Sequence, residues 1–311
     1  MPNWDDPTFL VPRDTKWQAQ LRALQSWYRQ TVLQSEAGLQ AGATLRGNLL
    51  PSDAPHSLNF LTPEIAQFVE EWLPGAEKAG AFVKTDRLWR NLLSSMPLAF
   101  NLFVPLRNDL GLASGVLRQI TRGRVYQVTG VEWEYSPGRR DPRYTNDRTA
   151  FDVFISFTTR QGGPGFIAVE VKYHEDLGED NAEESSRYFE IADQMGCFFA
   201  SRIRTLRYPP LGQIWRNHLL AGSLQMQGRF DDYMSVVLFP SVNISCGRAV
   251  QRYQDSLSDS HTFAGWHLES VVDAIGALAP SDWIRELRMR YLDLSSLAHG
   301  GRRITQPPSA A

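Results

Sequence analysis

The chain has 311 residues, 42% of them hydrophobic and 11% aromatic, which is enough to build a substantial core and too apolar for general disorder. A formal net charge of −2 leaves no global basic field, so any nucleic-acid surface has to be a local patch. Two cysteines, Cys197 and Cys246, exclude a disulfide framework and a cysteine-rich zinc site, and suit a reducing cytoplasm. The first residues lack a basic-then-apolar signal layout, and no apolar run reaches the about 18 residues of a membrane span. A soluble, cytoplasmic protein is expected.

In chain order, residues 1–12 read as a loose arm. Trp17, Leu21, Leu24, Trp27, Tyr28 and Val32 recur at helical spacing and predict a helix from Asp14 to Gln34. Residues 44–56, broken by Gly and Pro, read as loop. Thr62-Pro63-Glu64 opens a second helix, with Thr as cap and Pro in the first turn, that should end near Pro74 and Gly75. A short third helix is expected over 86–95. The apolar stretch 96–120 predicts one or two buried helices interrupted at Pro105.

The pattern changes near residue 122. Residues 125–138 alternate and are rich in β-branched and aromatic side chains, which predicts a strand. An arginine-rich loop follows, carrying Arg139, Arg140, Arg143 and Arg148. FDVFISF and GFIAVEVKY then form two strands around a GGPG turn. Helices are expected over 180–200 and 211–226, a short buried strand over 235–241, and helices over 246–257 and 267–298. The organisation expected is a helical region, 1–121, packed on a second unit, 122–298, with a disordered tail from 299 to 311.

The two strands carry the chemistry. Side chains alternate faces with a period of two, so Glu170 and Lys172 share a face while Val169, Val171 and Tyr173 point the other way. A carboxylate and an ammonium in so apolar a strand are costly unless paired or holding something. Only four lysines occur in the chain (Lys16, Lys78, Lys84 and Lys172), which sets Lys172 apart. Asp152, near the start of the preceding strand, makes a divalent metal the economical explanation. Asp152, Glu170 and the main-chain carbonyl of Val171 would ligate it. Lys172 would orient the attacking water or stabilise negative charge building on a phosphate. Glu132 and Glu134 share a face of the strand before, and Glu134, nearer the loop, is the candidate to complete the site. The alternative reading of the same residues is a Glu–Lys pair on a half-exposed edge strand.

These segments resemble the D…ExK core of the PD-(D/E)XK nuclease superfamily. Residues 92–106, the run from Val131 through Ile155, VEVKYHEDL, QIWRNHLLA (213–221) and SVVLFPSVN extend the resemblance to one bacterial, restriction-endonuclease-like group over about residues 85–275. The resemblance implies an α/β fold with a mixed central sheet flanked by helices, and Mg²⁺-dependent DNA cleavage in which Mn²⁺ substitutes. It casts Asp152 and Glu170 as metal ligands and Lys172 as the catalytic lysine. Members often draw a further acid from a helix before the first strand, where this chain offers only Asp109, and the Pro of the motif is absent before Asp152. Several place a polar helix residue beside the lysine, which makes Gln213 a candidate; Arg216 and Asn217 share its face. Arg139, Arg140, Arg143 and Arg148 are candidate phosphate contacts, and Arg202, Arg204 and Arg207 with Tyr208 form a second cluster. Expected partners are DNA, a second copy of the chain, and other proteins of a defence system against foreign DNA. The alternative function is a catalytically inactive nuclease-fold protein that binds nucleic acid or scaffolds an assembly. His218 reads as a satisfied core histidine.

Overall fold

A computed structural model describes residues 8–9, 11–40, 44–178 and 185–297. The tail expected from 299, and most of the expected arm, lie outside the described residues. The first helix, α1 (Lys16–Thr31), is followed by a small antiparallel pair of strands, β1 (Gly38–Gln40) and β2 (Thr44–Arg46), the second of which lies in the stretch 44–56 that the sequence presents as loop. Next come α2 (Pro63–Lys78), α3 (Thr85–Arg90), α4 (Ser95–Asn108) and α5 (Leu110–Ile120).

Two prolines expected to end or interrupt helices lie inside them. Pro74 sits within α2, where the carbonyl it leaves without a helical donor belongs to exposed Glu70 and can be hydrated. Pro105 sits within α4, and the carbonyl of Asn101, four residues back, accepts instead from Trp283 Nε1 at 2.9 Å. The break between α4 and α5 falls at Asp109, whose Oδ1 accepts from the Leu112 amide at 2.8 Å. Asp109 is thereby a helix cap.

The main sheet has five strands in the order β3 (Gln127–Tyr135), β4 (Phe151–Thr158), β5 (Pro164–Val171), β6 (Asp232–Phe239) and β7 (Phe263–His267). The first three run antiparallel; β6 lies parallel to β5, and β7 parallel to β6. Parallel pairing requires crossovers. Those to β6 and β7 hold α6 (Ser186–Met195), α7 (Gly212–Gln225) and α8 (Ile244–Gln254), and α9 (Leu268–Leu278) and α10 (Asp282–Tyr291) follow. The fold is α/β with a mixed sheet between helical layers, as expected, although β7, all but its last residue His267, lies where the sequence suggests no element.

Alternation along the strands sorts the two faces. Val131, Trp133, Val153, Ile155, Ile167, Val169 and Leu238 form one apolar cluster with residues of α2, α4, α5 and α9, so the N-terminal helices share a core with the sheet. Phe154, Phe166 and Ala168 point the other way, onto Leu220, Ala221 and Leu224 of α7. Both faces are covered, which explains why β5 and β6 read as nearly continuous apolar runs. A charged side chain in either strand is therefore forced into the interior. Among the described residues no helix is long and apolar enough to cross a membrane.

Candidate active site

The site forms where β4 and β5 part. Their ladder runs from Thr158↔Pro164 to Val153↔Val169. At the next position the Val171 amide donates not to a strand carbonyl but to Asp152 Oδ2, at 2.7 Å. Beyond this point β5 is held by β6, with Val171 opposite Leu238 and the Lys172 amide donating to the Leu238 carbonyl at 2.8 Å. Because the Lys172 amide faces β6, the N–H and C=O of Val171 both face the opening beside β4. Asp152 stands in that opening.

Glu170 and Lys172 share the face that strand phase dictates, and both are buried, at 6% and 9% exposure. Lys172 Nζ lies 2.8 Å from Glu170 Oε1. Two amides of α7, one turn apart, complete the carboxylate's partners: Gln213 Nε2 donates to Oε1 and Asn217 Nδ2 to Oε2, each at 2.6 Å. Gln213 was a sequence candidate; Asn217 was named only as sharing its face, and the i, i+4 spacing was the signal. Hydrogen bonds to a buried charge are among the stronger ones. Asn217→Ala is expected to cost about 1.5–3 kcal/mol of stability, readable in chemical denaturation.

Glu134 reaches the site by a route that alternation does not foresee. The β3–β4 register passes from Trp133↔Val153 to Tyr135↔Phe151 with no partner for Glu134, which has φ +49°. Trp133 stacks on Phe100 of α4 on one side of the sheet (centroids 5.3 Å apart), whereas Tyr135 stacks on Phe154 on the other, at 4.0 Å. A left-handed glutamate costs on the order of 1 kcal/mol, so something must hold it. Arg139 does so, donating from Nη2 to the Glu134 carbonyl and from Nη1 to the Ala79 carbonyl, both at 3.1 Å. The Glu134 side chain borders a small hollow with Trp72, Met96, Ala99, Phe100, Trp133 and Asp152. Glu132, its expected companion, is exposed.

The electrostatics follow from this crowding. Burial, then the nearby charge of Glu170, push the Glu134 carboxyl up to about 7 against the pull of Arg139. Asp152 is raised well above the ordinary range by burial and by the charges of Glu170 and Glu134; Lys172 and the Val171 amide oppose this only in part. Burial works against the Lys172 ammonium, but Glu170 and Asp152 outweigh it and hold its pKa above the usual lysine value. Glu170 and Glu134 thus both bear on Asp152, and Lys172 opposes them there. A carboxyl that binds its proton more tightly in the folded state makes stability fall as pH rises between its two pKa values. For Glu134 that window runs from 4.5 to about 7. Glu134→Gln should therefore gain on the parent by about 2–3 kcal/mol across the window, measured as denaturation midpoints at its two ends.

A cavity of about 720 Å³ opens over Asp152, Glu170, Gln213 and Asn217. Arg140, Arg148 and Arg216 line it, and among the described residues none of their guanidinium groups has a hydrogen-bond or ion-pair partner. The other two arginines of the loop do not line it. Arg139 is the clamp already described, and Arg143 pairs with Asp141 at 2.6 Å. Asp147, missed in the sequence, borders the cavity as the loop's organiser: its carboxylate accepts from Thr145 Oγ1 at 2.9 Å, from the Thr149 amide at 2.8 Å and from the Tyr188 hydroxyl. Arg204, Arg207 and Tyr208 line a separate hollow with Phe189. His218 is fully buried between the Tyr253 and Thr262 hydroxyls, and burial pulls its pKa down to about 3.

Among the described residues no three or more His, Cys, Asp or Glu side chains stand ready-grouped around a metal position. The donor chemistry nevertheless fits a hard divalent cation. Asp152 and Glu170 offer carboxylate oxygens, the Val171 carbonyl faces the same opening, and the nearby cations only partly offset the crowded carboxyl groups. No curated protein and no solved structure matches the chain. One family model does match, that of the PD-(D/E)XK nuclease superfamily, over residues 12–293. That match takes in every strand of the sheet and the point where β4 and β5 part, and the protein belongs to the PD-(D/E)XK nuclease superfamily.

Proposed function

We propose that the protein is a metal-dependent DNA endonuclease, using Mg²⁺ with Mn²⁺ able to substitute, and acting in the bacterial cytoplasm against foreign DNA. The observation that carries this reading is the meeting of Asp152, Glu170 and Lys172 where β4 and β5 part, beneath a cavity lined by arginines whose guanidinium groups have no partner among the described residues. Asp152 and Glu170, with the Val171 carbonyl, are the residues that would hold the cation. When bound, it supplies neutralisation of phosphate charge and a more acidic water. Lys172 holds its proton and offers it, as a hydrogen-bond donor, to the attacking water or to the phosphate oxygen gaining charge. Gln213 and Asn217 keep the Glu170 carboxylate in one orientation. Arg140, Arg148 and Arg216 grip the backbone phosphates on either side of the scissile bond. On this reading residues 1–121 form a helical region docked on a nuclease unit of 122–298.

The test is a substrate panel of supercoiled plasmid, linear duplex, single-stranded DNA and a small phosphomonoester, each with Mg²⁺, Mn²⁺ or excess chelator. The expected result is internal cleavage of DNA with either metal, none with chelator, and no release of phosphate from the monoester. Measurable DNA binding without cleavage under any metal would favour a binding or scaffolding protein instead.

A further inference from the structure

The rim of the cavity carries a phenyl ring that packing does not account for. Phe82 is 79% exposed, the highest value among the exposed large hydrophobic side chains described, yet it lines the same cavity as Arg140, Arg148 and Arg216. A lone exposed hydrophobic residue is ordinary. Three observations set this one apart. It lines the cavity that Asp152 and Glu170 also line, and not an indifferent surface. The segment that carries it is tied down, because Arg139 bonds the Ala79 carbonyl with one nitrogen and the Glu134 carbonyl with another. The turn leading to Phe82, with Gly80 at φ +83°, is thus fastened to the peptide that brings Glu134 to the site. Finally, Lys78 and Lys84, two of only four lysines in the chain, stand on either side of Phe82 in sequence and are both exposed.

An exposed aromatic ring that lines one cavity with three guanidinium groups is an arrangement that takes a sugar–phosphate backbone with a base laid on the ring. In a paired duplex both faces of each base are already covered by their neighbours, so the ring has nothing to stack on until a base is pulled free. We propose that Phe82 stacks on an unpaired base next to the scissile phosphate, so that the enzyme selects DNA that is single-stranded or locally open at the cut site over intact duplex. This rests on the nuclease reading above and names its substrate class.

Binding of oligonucleotides carrying one 2-aminopurine tests it, with chelator present so that nothing is cut. The parent protein, Phe82→Ala and Phe82→Trp are compared on a single strand, a gapped duplex and a full duplex. Because the ring is exposed, Phe82→Ala should melt with the parent. It should bind the single strand and the gapped duplex about tenfold more weakly, about 1.4 kcal/mol, lose the stacking change in 2-aminopurine fluorescence, and bind full duplex as before. Phe82→Trp should retain both affinity and signal. Parent-like binding and fluorescence in Phe82→Ala would overturn the proposal, and so would an equal loss on duplex and single strand. A parent that shows Phe82-dependent stacking but cuts no DNA with Mg²⁺ would sink the nuclease reading and leave the stacking contact standing.

Discussion

Asp152→Asn is expected to slow DNA cleavage by on the order of a thousandfold or more while leaving the protein at least as stable as the parent. The two effects have one origin. The Asp152 carboxyl is largely buried, and burial with the charges of Glu170 and Glu134 raises its pKa. Its ionised form is therefore a burden on the fold above the ordinary carboxylate pKa, and stability falls as pH rises through that range. Asparagine retains an oxygen to accept from the Val171 amide, the contact that closes the end of the ladder, and carries no charge. Its stability advantage over the parent should grow with pH. Chemical denaturation at pH 5 and pH 8, with cleavage assayed on the same preparations, measures both effects. A destabilised Asp152→Asn would mean that the carboxylate is a structural anchor and not a strained functional group.

Lys172→Met should lose cleavage to a similar degree but with the opposite effect on stability, a cost of about 3–5 kcal/mol. Among the described residues the Lys172 ammonium is the one cation bonded to Glu170, and without it a buried carboxylate is left there with amide donors only. The raised pKa gives the sign: this stabilisation is in full force below the ordinary lysine pKa, so the loss is complete at neutral pH. Lys172→Arg keeps the charge but replaces a compact ammonium with a rigid fork, in a site where the side chain is 11% exposed. It should restore part of the stability and little of the cleavage. The opposed stabilities of the 152 and 172 variants separate a site built for chemistry from a salt bridge built for the fold.

What the sequence made legible was whatever obeyed a local period. Charged residues in apolar strands betrayed Asp152, Glu170 and Lys172, because a period of two leaves no solvent-facing position in a sheet covered on both sides. The family resemblance pointed to Gln213, and helical spacing put Asn217 on the same face one turn on. Glu134 lines one hollow with Asp152 by a route that local patterning does not show: alternation pairs it with Glu132, whereas a left-handed backbone and a clamp from Arg139 separate the two. Arg139 is near in sequence, but its second anchor, the Ala79 carbonyl, lies far back in the chain and no local pattern announces it. β7 was hidden for a similar reason, since Phe263–His267 is short, contains a glycine and gains its identity only by pairing with β6. Pro105 misled because its cost is removed from a distance, by Trp283 Nε1 bonding the carbonyl that the proline leaves free. The arginine loop was legible as a cation source but not in which members face the cavity. Asp147 and Asp141 decide that by side-chain bonds.

The central claim is that Asp152, Glu170 and Lys172 form one hydrolytic site that needs a divalent cation. Single-turnover cleavage of one labelled DNA by the parent, Asp152→Asn and Lys172→Met, with Mg²⁺ and with chelator, tests it most directly. The expected result is cleavage by the parent with Mg²⁺ alone and rates on the order of a thousandfold lower for both variants. Either variant cutting at the parent's rate, or a parent indifferent to chelator, would contradict it.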